Sequence, residues 1–399
     1  MRKILTVLAS AALLMVPATV GWTASASVGE PLVTTVTPGG ACGVAGSSHA
    51  TFDSNNHRTV VTPGGRTLVL YDPHGSGVDL AWKDQGAGWK ETSVWDKGSD
   101  EVSTDRPASI ALDGAGHAWV VWSDRNFNKV SPVKMRRLTD LDAVDGPTAG
   151  PTLTVESAGL GNAFADLAFH EGRGHIVWLR RTGNTAYSLT TVSFTDLDDP
   201  TPPLLDRTVL DTTSNKQASA TFVSTPAGLR AVARTEKLRL FRHETTSGWS
   251  PGSATTSAPA KTRPSAVAFG GDVLAAFQSS FGSGGVKVAS FSNNGNSVTT
   301  SLNTGDGYAQ PAIATDGDDA WVVMIRLASG TSVVSRSFDG SSWGGNATLM
   351  TPAAPDSGVF KFPNSIRQAD GTLRFVVSQA CTEAKRLQRS AVLSFEQSL

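Results

Sequence analysis

The sequence predicts an all-β fold, a seven-bladed β-propeller of four-stranded antiparallel blades. Three observations predict it. Glycine accounts for 40 of the 399 residues, and Gly, Ser, Thr, Asn and Asp interrupt the chain every few positions, as short strands joined by tight turns require. An apolar run, a Gly/Asp turn and a second apolar run recur, as in "SIALDGAGHAWVVW", "FADLAFHEGRGHIVW" and "QPAIATDGDDAWVVM". The turn glycines of this pattern are Gly65, Gly116, Gly174, Gly228, Gly271, Gly317 and Gly371, with a mean spacing of about 51 residues. Seven units of that period account for the chain from Cys42 to Leu399.

Before the repeats, Arg2 and Lys3 precede the mostly apolar stretch 4–20, and "TASAS" follows with Ala24 and Ala26 placed for cleavage after Ala26. Residues 1–26 therefore read as a secretory signal peptide, with an N-terminal anchor as the alternative, and 27–399 as one propeller domain. The stretch is short for a membrane span and Pro17 interrupts it. The expectation is a secreted, monomeric protein with no membrane span.

Each unit divides into strands A to D, in the first case "HRTVVTP", "RTLVLYD", "VDLAWKD" and "WKETSVW". Strand A carries small or apolar residues on both faces ("SIAL", "ATFV", "SAVAF", "PAIA"), as a strand sandwiched between neighbouring blades needs. A Trp after strand C recurs at Trp89, Trp249 and Trp343, and its repeat position points to packing before any sugar-platform role. "TDLD" occurs at Thr139–Asp142 and again at Thr195–Asp198.

The last unit has strands A, B and C and then ends, while "PLVTTVT" (31–37) is a spare extended segment. That segment is expected to supply the missing outer strand and close the ring. Cys42 leads into the first strand A and Cys381 follows the last strand B, which places both on one face at one seam. In an exported chain with two cysteines, a Cys42–Cys381 disulfide is the expectation and two free thiols the alternative.

Lys plus Arg total 34 and Asp plus Glu 35, a formal net charge of −1 that speaks against a nucleic-acid-coating protein. No GxSxG nucleophile elbow occurs, no HxxxH metal spacing is present, and no cofactor motif appears, so neither a metal nor a cofactor is expected. The "DGDD" at Asp316–Asp319 reads as a turn, and His117 and His175, each following a repeat glycine, read as turn residues.

The face carrying the B–C and D–A loops is the default funnel. Following strands B outward brings His74, Asp124, Arg125, Arg181, Arg234 and Arg326 to that face, and Arg263 enters it before a strand A. Guanidinium groups there would grip a carboxylate or sulfate, and solvent-exposed strand ends are the plainer explanation of them.

"SFDGSSW" (Ser337–Trp343) is similar to an Asp-box hairpin, and "GYAQPAIATDG" from Gly307 is similar to the stretch that holds the nucleophilic tyrosine of sialidases. On these segments and the repeat architecture the chain resembles the secreted bacterial sialidase-like (BNR-type) propellers. The resemblance would map the nucleophile to Tyr308, with Glu236 as its acidic partner and Arg263 and Arg326 in an arginine cluster. Asp124, at the outer end of a strand B, is a further catalytic candidate among the loop carboxylates. The Arg-Ile-Pro signature of active sialidases is absent, so the fold carries over and the reaction stays open. The expected function is therefore binding or processing of extracellular carbohydrate, with acidic glycans as one class. A sialidase-like hydrolase, a polysaccharide lyase and a non-catalytic protein-binding scaffold remain as readings.

Overall fold

A computed structural model describes residues 32–35, 56–71, 78–93, 108–123, 131–157, 161–244, 248–280, 285–327, 332–351, 359–367, 373–380 and 390–397. The chain is an all-β propeller of four-stranded antiparallel sheets. Six blades are each built from four consecutive strands, spanning residues 59–93, 108–156, 163–213, 219–255, 265–303 and 308–350. They are one fewer than the seven blades that the repeat spacing predicts. That remaining sheet is composite. Val359–Arg367, Leu373–Ala380 and Ser390–Gln397 are joined by Leu32–Thr35, which pairs antiparallel with the last strand from Leu32↔Glu396 to Thr35↔Leu393. Among the described residues no helix is long and apolar enough to cross a membrane.

The core sits between successive blades rather than in one centre. Leu68, Leu70 and Leu80 of the first blade pack against Ile110, Val120 and Trp122 of the second. Trp119 and Val121 of the second meet Ile176, Trp178 and Phe194 of the third. Strands B, covered on both faces, are buried along most of their length, and Thr67–Tyr71 and Ala118–Ser123 throughout. Each large apolar side chain so enclosed contributes about 1.5–3 kcal/mol. Strands D at the rim are largely exposed, as in Thr148–Glu156, where only Val155 and Glu156 are buried.

Polar latches reinforce three seams. Arg66 of the first blade donates through Nη1 to the Leu141 and Ala143 carbonyls of the second, 2.7 Å each. Arg137 of the second donates to the Leu197 carbonyl (2.7 Å) and the Asp198 carbonyl (2.5 Å) of the third. The repeated "TDLD" thus provides C–D turns whose carbonyls receive an arginine from the preceding blade. Between the fourth and fifth blades, Arg230 Nε donates to the Asn293 carbonyl (2.9 Å).

Turn residues behave as their chemistry predicts. Asp113 accepts from the Ala115 and His117 N–H groups and from Trp119 Nε1, so His117 belongs to a turn. Asp316 Oδ1 accepts from the N–H groups of Asp318 (2.9 Å) and Asp319 (2.8 Å). In the Asp-box-like hairpin, Asp339 Oδ1 accepts from the N–H groups of Ser341 and Ser342, which hold its carboxyl well below the usual range. Trp343 stacks on Phe338 at 4.9 Å, Trp89 packs beside Val69 and Tyr71, and Trp249 stacks on Phe222, so the recurrent Trp is a packing residue.

Candidate functional site

Among the described residues, a polar constellation lies at the seam of the third and fourth blades, on the face opposite the expected funnel. There a cavity of about 590 Å³ opens among A–B and C–D turn residues. Strand A of the third blade (Ala163–His170) delivers His170 at its end, and strand B (Arg173–Arg181) starts after a turn in which Glu171 and Gly172 have φ of 50° and 72°. Arg173 and His175 are two residues apart and share one face of that strand. His175 pairs in register with Ser193 on strand C, and Asp206 enters at the start of strand D (Leu205–Thr213). The fourth blade closes the cavity with His243 and Trp249, register partners across its C–D hairpin, and with Glu244.

Arg173 Nη1 donates to Asp206 Oδ2 (2.5 Å) and to the Ser193 hydroxyl (3.1 Å). The Ser193 and Arg173 hydrogen bonds hold the Asp206 carboxyl below its ordinary value. His175 is 2% exposed, and burial, with His243 and Arg173 nearby, pushes its imidazole down to about 3. His243 is pushed down by burial and then by Arg173 and His170. Both rings are therefore uncharged at neutral pH, and each presents one donor and one acceptor. Their centroids are 4.7 Å apart, and His243 lies 5.0 Å from the Trp249 ring. Neither imidazole has a hydrogen-bond partner among the described residues.

A second constellation closes the ring axis. His57 Nδ1 of the first blade lies 2.8 Å from both carboxylate oxygens of Asp166 in the third. Arg263, entering the fifth blade, reaches Asp166 Oδ1 at 3.2 Å, and the Phe222 N–H of the fourth donates to Oδ2 at 3.0 Å. Blades one, three and five are not neighbours, so these contacts span the axial channel. Burial alone would raise the Asp166 carboxyl, but His57 and Arg263, aided by both hydrogen bonds, bring it down to about 2.

The sequence-predicted residues fall differently. His74, Asp124, Arg125, Cys42 and Cys381 lie outside the described residues. Tyr308 is the first residue of strand A in the sixth blade, where its hydroxyl accepts from Asn346 Nδ2 at 2.7 Å. It pairs in register with Arg326, which is exposed. Glu236 is exposed on the B–C turn of the fourth blade, and its backbone carbonyl accepts from the Ala260 N–H at 2.8 Å. Arg234 and Arg263 are enclosed at 4% and 1% exposure, and Arg263 serves Asp166. Arg181 folds over its own hairpin onto the Gly183 carbonyl (2.9 Å) and the Asn184 carbonyl. Tyr71 donates to Glu91, and burial with that carboxylate pushes its phenol up, away from nucleophile chemistry.

The residues that form the cavity were not singled out as a site, and the turn reading of His175 is corrected: the ring is a buried wall of the cavity. The available signal was "HEGRGH" (170–175), which concentrates polar groups where other repeats have a plain Asp/Gly turn.

No family model matches the chain, and no curated protein matches it. Among solved structures, it is similar to a protein of unknown function from Dyadobacter fermentans DSM 18053, with TM-score 0.50, 10% identity, and coverage of 92% of this chain and 99% of that one. AofleA from Arthrobotrys oligospora gives TM-score 0.49 and 14% identity over 76% of this chain and 93% of that one. A Trypanosoma rangeli sialidase in complex with 2,3-difluorosialic acid gives TM-score 0.48 and 10% identity over 84% of this chain and 59% of that one. At 10% identity the likeness to the Dyadobacter fermentans protein is one of fold alone.

Proposed function

We propose that the protein is an exported carbohydrate-binding propeller whose ligand seats in the cavity between the third and fourth blades. One observation carries the reading: two uncharged, unpartnered imidazoles, His175 and His243, face the same cavity as Arg173 and the edge of Trp249. A sugar offers hydroxyls that both donate and accept, and neutral imidazoles answer both roles. The volume suits one or two sugar rings. The rim carries Glu171 and Glu244 beside the Arg173–Asp206 pair, so the charge balance disfavours the acidic glycans that an arginine funnel would take. No acid/base pair is needed for this function, and binding without turnover is the reading.

On a glycan array the full chain is expected to bind a restricted set of neutral sugars. Arg173→Ala or His243→Ala should weaken calorimetric affinity by about tenfold to a hundredfold, the loss expected for a hydrogen bond to a charged or enclosed group. An unchanged affinity in both variants, or an empty array, would refute the assignment.

Export and ring closure belong to the same proposal, supported by the leader-like 1–26 and by the pairing of Leu32–Thr35 with the last strand. Protein collected from the medium is expected to start at Ser27, with Cys42 and Cys381 resistant to alkylation until reduced. Retention of the leader, or thiols that alkylate at once under denaturing conditions, would count against it.

A further inference from the structure

Resting on the reading that this cavity binds a glycan, we infer that its ligand is an N-acetylated amino sugar, recognised through the acetamido carbonyl by Arg173. At the latched seams, the partner of the bridging arginine is a backbone amide carbonyl of the next blade: Leu141 and Ala143 for Arg66, Leu197 and Asp198 for Arg137, and Asn293 for Arg230. At the seam of the third and fourth blades the arginine turns back. Arg173 gives Nη1 to Ser193 and Asp206 of its own blade, and its Nε and Nη2 have no partner among the described residues. The guanidinium is one-third exposed and lines the cavity. Arg66 likewise pairs with a carboxylate of its own blade, Asp84, yet still donates through Nη1 to the carbonyls of the next blade. Arg173 makes no such crossing and keeps open donors beside a space large enough for a ligand to bring an amide oxygen.

The other walls discriminate among oxygen-bearing ligands. A carboxylate would satisfy Arg173, but Asp206 already occupies one side of the guanidinium, and Glu171 and Glu244 stand at the rim. Asp206 is paired with Arg173 and Glu244 with Arg242 (3.5 Å), so the guanidinium charge is already matched and Glu171 leaves the rim net negative. An uncharged acetamide brings the same carbonyl without the charge. Its methyl group finds apolar surface at Trp249, and the ring hydroxyls find His175 and His243. A plain hexose fills the same space but offers the Arg173 donors a hydroxyl oxygen in place of the more polar amide carbonyl.

Calorimetry on the full chain with N,N′-diacetylchitobiose, cellobiose and the deacetylated glucosamine disaccharide tests this. These share one backbone and differ at the acetamido position. Diacetylchitobiose is expected to bind at least about tenfold more tightly than either of the others. Arg173→Lys, which keeps the charge and loses the fork, should reduce it to the cellobiose level, while His243→Ala should weaken every sugar that binds. Equal affinities that all respond to His243→Ala would overturn the acetamido inference and leave the glycan cavity standing. No binding, or binding indifferent to His243→Ala, would overturn both.

Discussion

Replacing Asp166 by alanine is expected to destabilise the protein by about 3–5 kcal/mol, the cost of breaking a buried charge network from one side. The carboxylate is fully enclosed and is met by His57, Arg263 and the Phe222 N–H. Without it, the guanidinium of Arg263, 1% exposed, loses the carboxylate oxygen it meets at 3.2 Å. The pH dependence has a definite sign. The folded carboxyl, at about 2, lies below its unfolded value near 3.9, so the unfolded chain binds the proton first on acidification. Its contribution is complete above about pH 4 and is lost as pH falls from there through about 2. Urea melts of wild type and Asp166→Ala at pH 7 and at pH 3 check both statements. Equal midpoints at pH 7, or a gap that widens toward pH 3, would show that the axial cluster does not hold the ring.

Gly174→Ala is expected to cost about 1–3 kcal/mol through overpacking and to reduce sugar binding with it. A Cβ at this position would sit 2.2 Å from Phe194 Cζ. Phe194 has nowhere to go: it is fully buried, with Trp119 at 5.1 Å and Phe169 at 5.8 Å. Gly174 has no positive φ, so the penalty is steric rather than conformational. The neighbouring His175 forms the cavity wall, and a displaced strand B would move that imidazole away from His243. Thermal melting and calorimetry read the two effects, and Phe194→Leu in the same chain should restore stability by making room. A Gly174→Ala protein that melts and binds like wild type would show that the packing at Phe194 is looser than these distances imply.

The blades were legible because their causes are local. Apolar runs such as Ala118–Ser123 read as fully buried strands B, and the Gly65, Gly116 and Gly228 turns, with φ of 86°, 87° and 116°, mark where only glycine turns the chain cheaply. The spare segment near Leu32 and the missing final strand were each visible in the chain, and their pairing followed from the need to cover a sheet edge. Even "TDLD" announced a shared role, although not which arginine would find its carbonyls. The arginines were harder. Arg263 looked like a funnel residue from its place before a strand A, yet it is a counter-ion to Asp166, 97 positions earlier in the chain.

The sequence by itself determined the strand pattern, the repeat, the turn chemistry and the order in which sheets follow one another, because each depends on residues within a few positions. Only the tertiary structure decided which side chains meet across the axis and which seam stays open. His57 and Asp166 are 109 residues apart, and Arg173 and His243 belong to different blades. Period-two alternation says which face of a strand a residue occupies, but whether that face meets an arginine latch or a cavity depends on how the next blade docks.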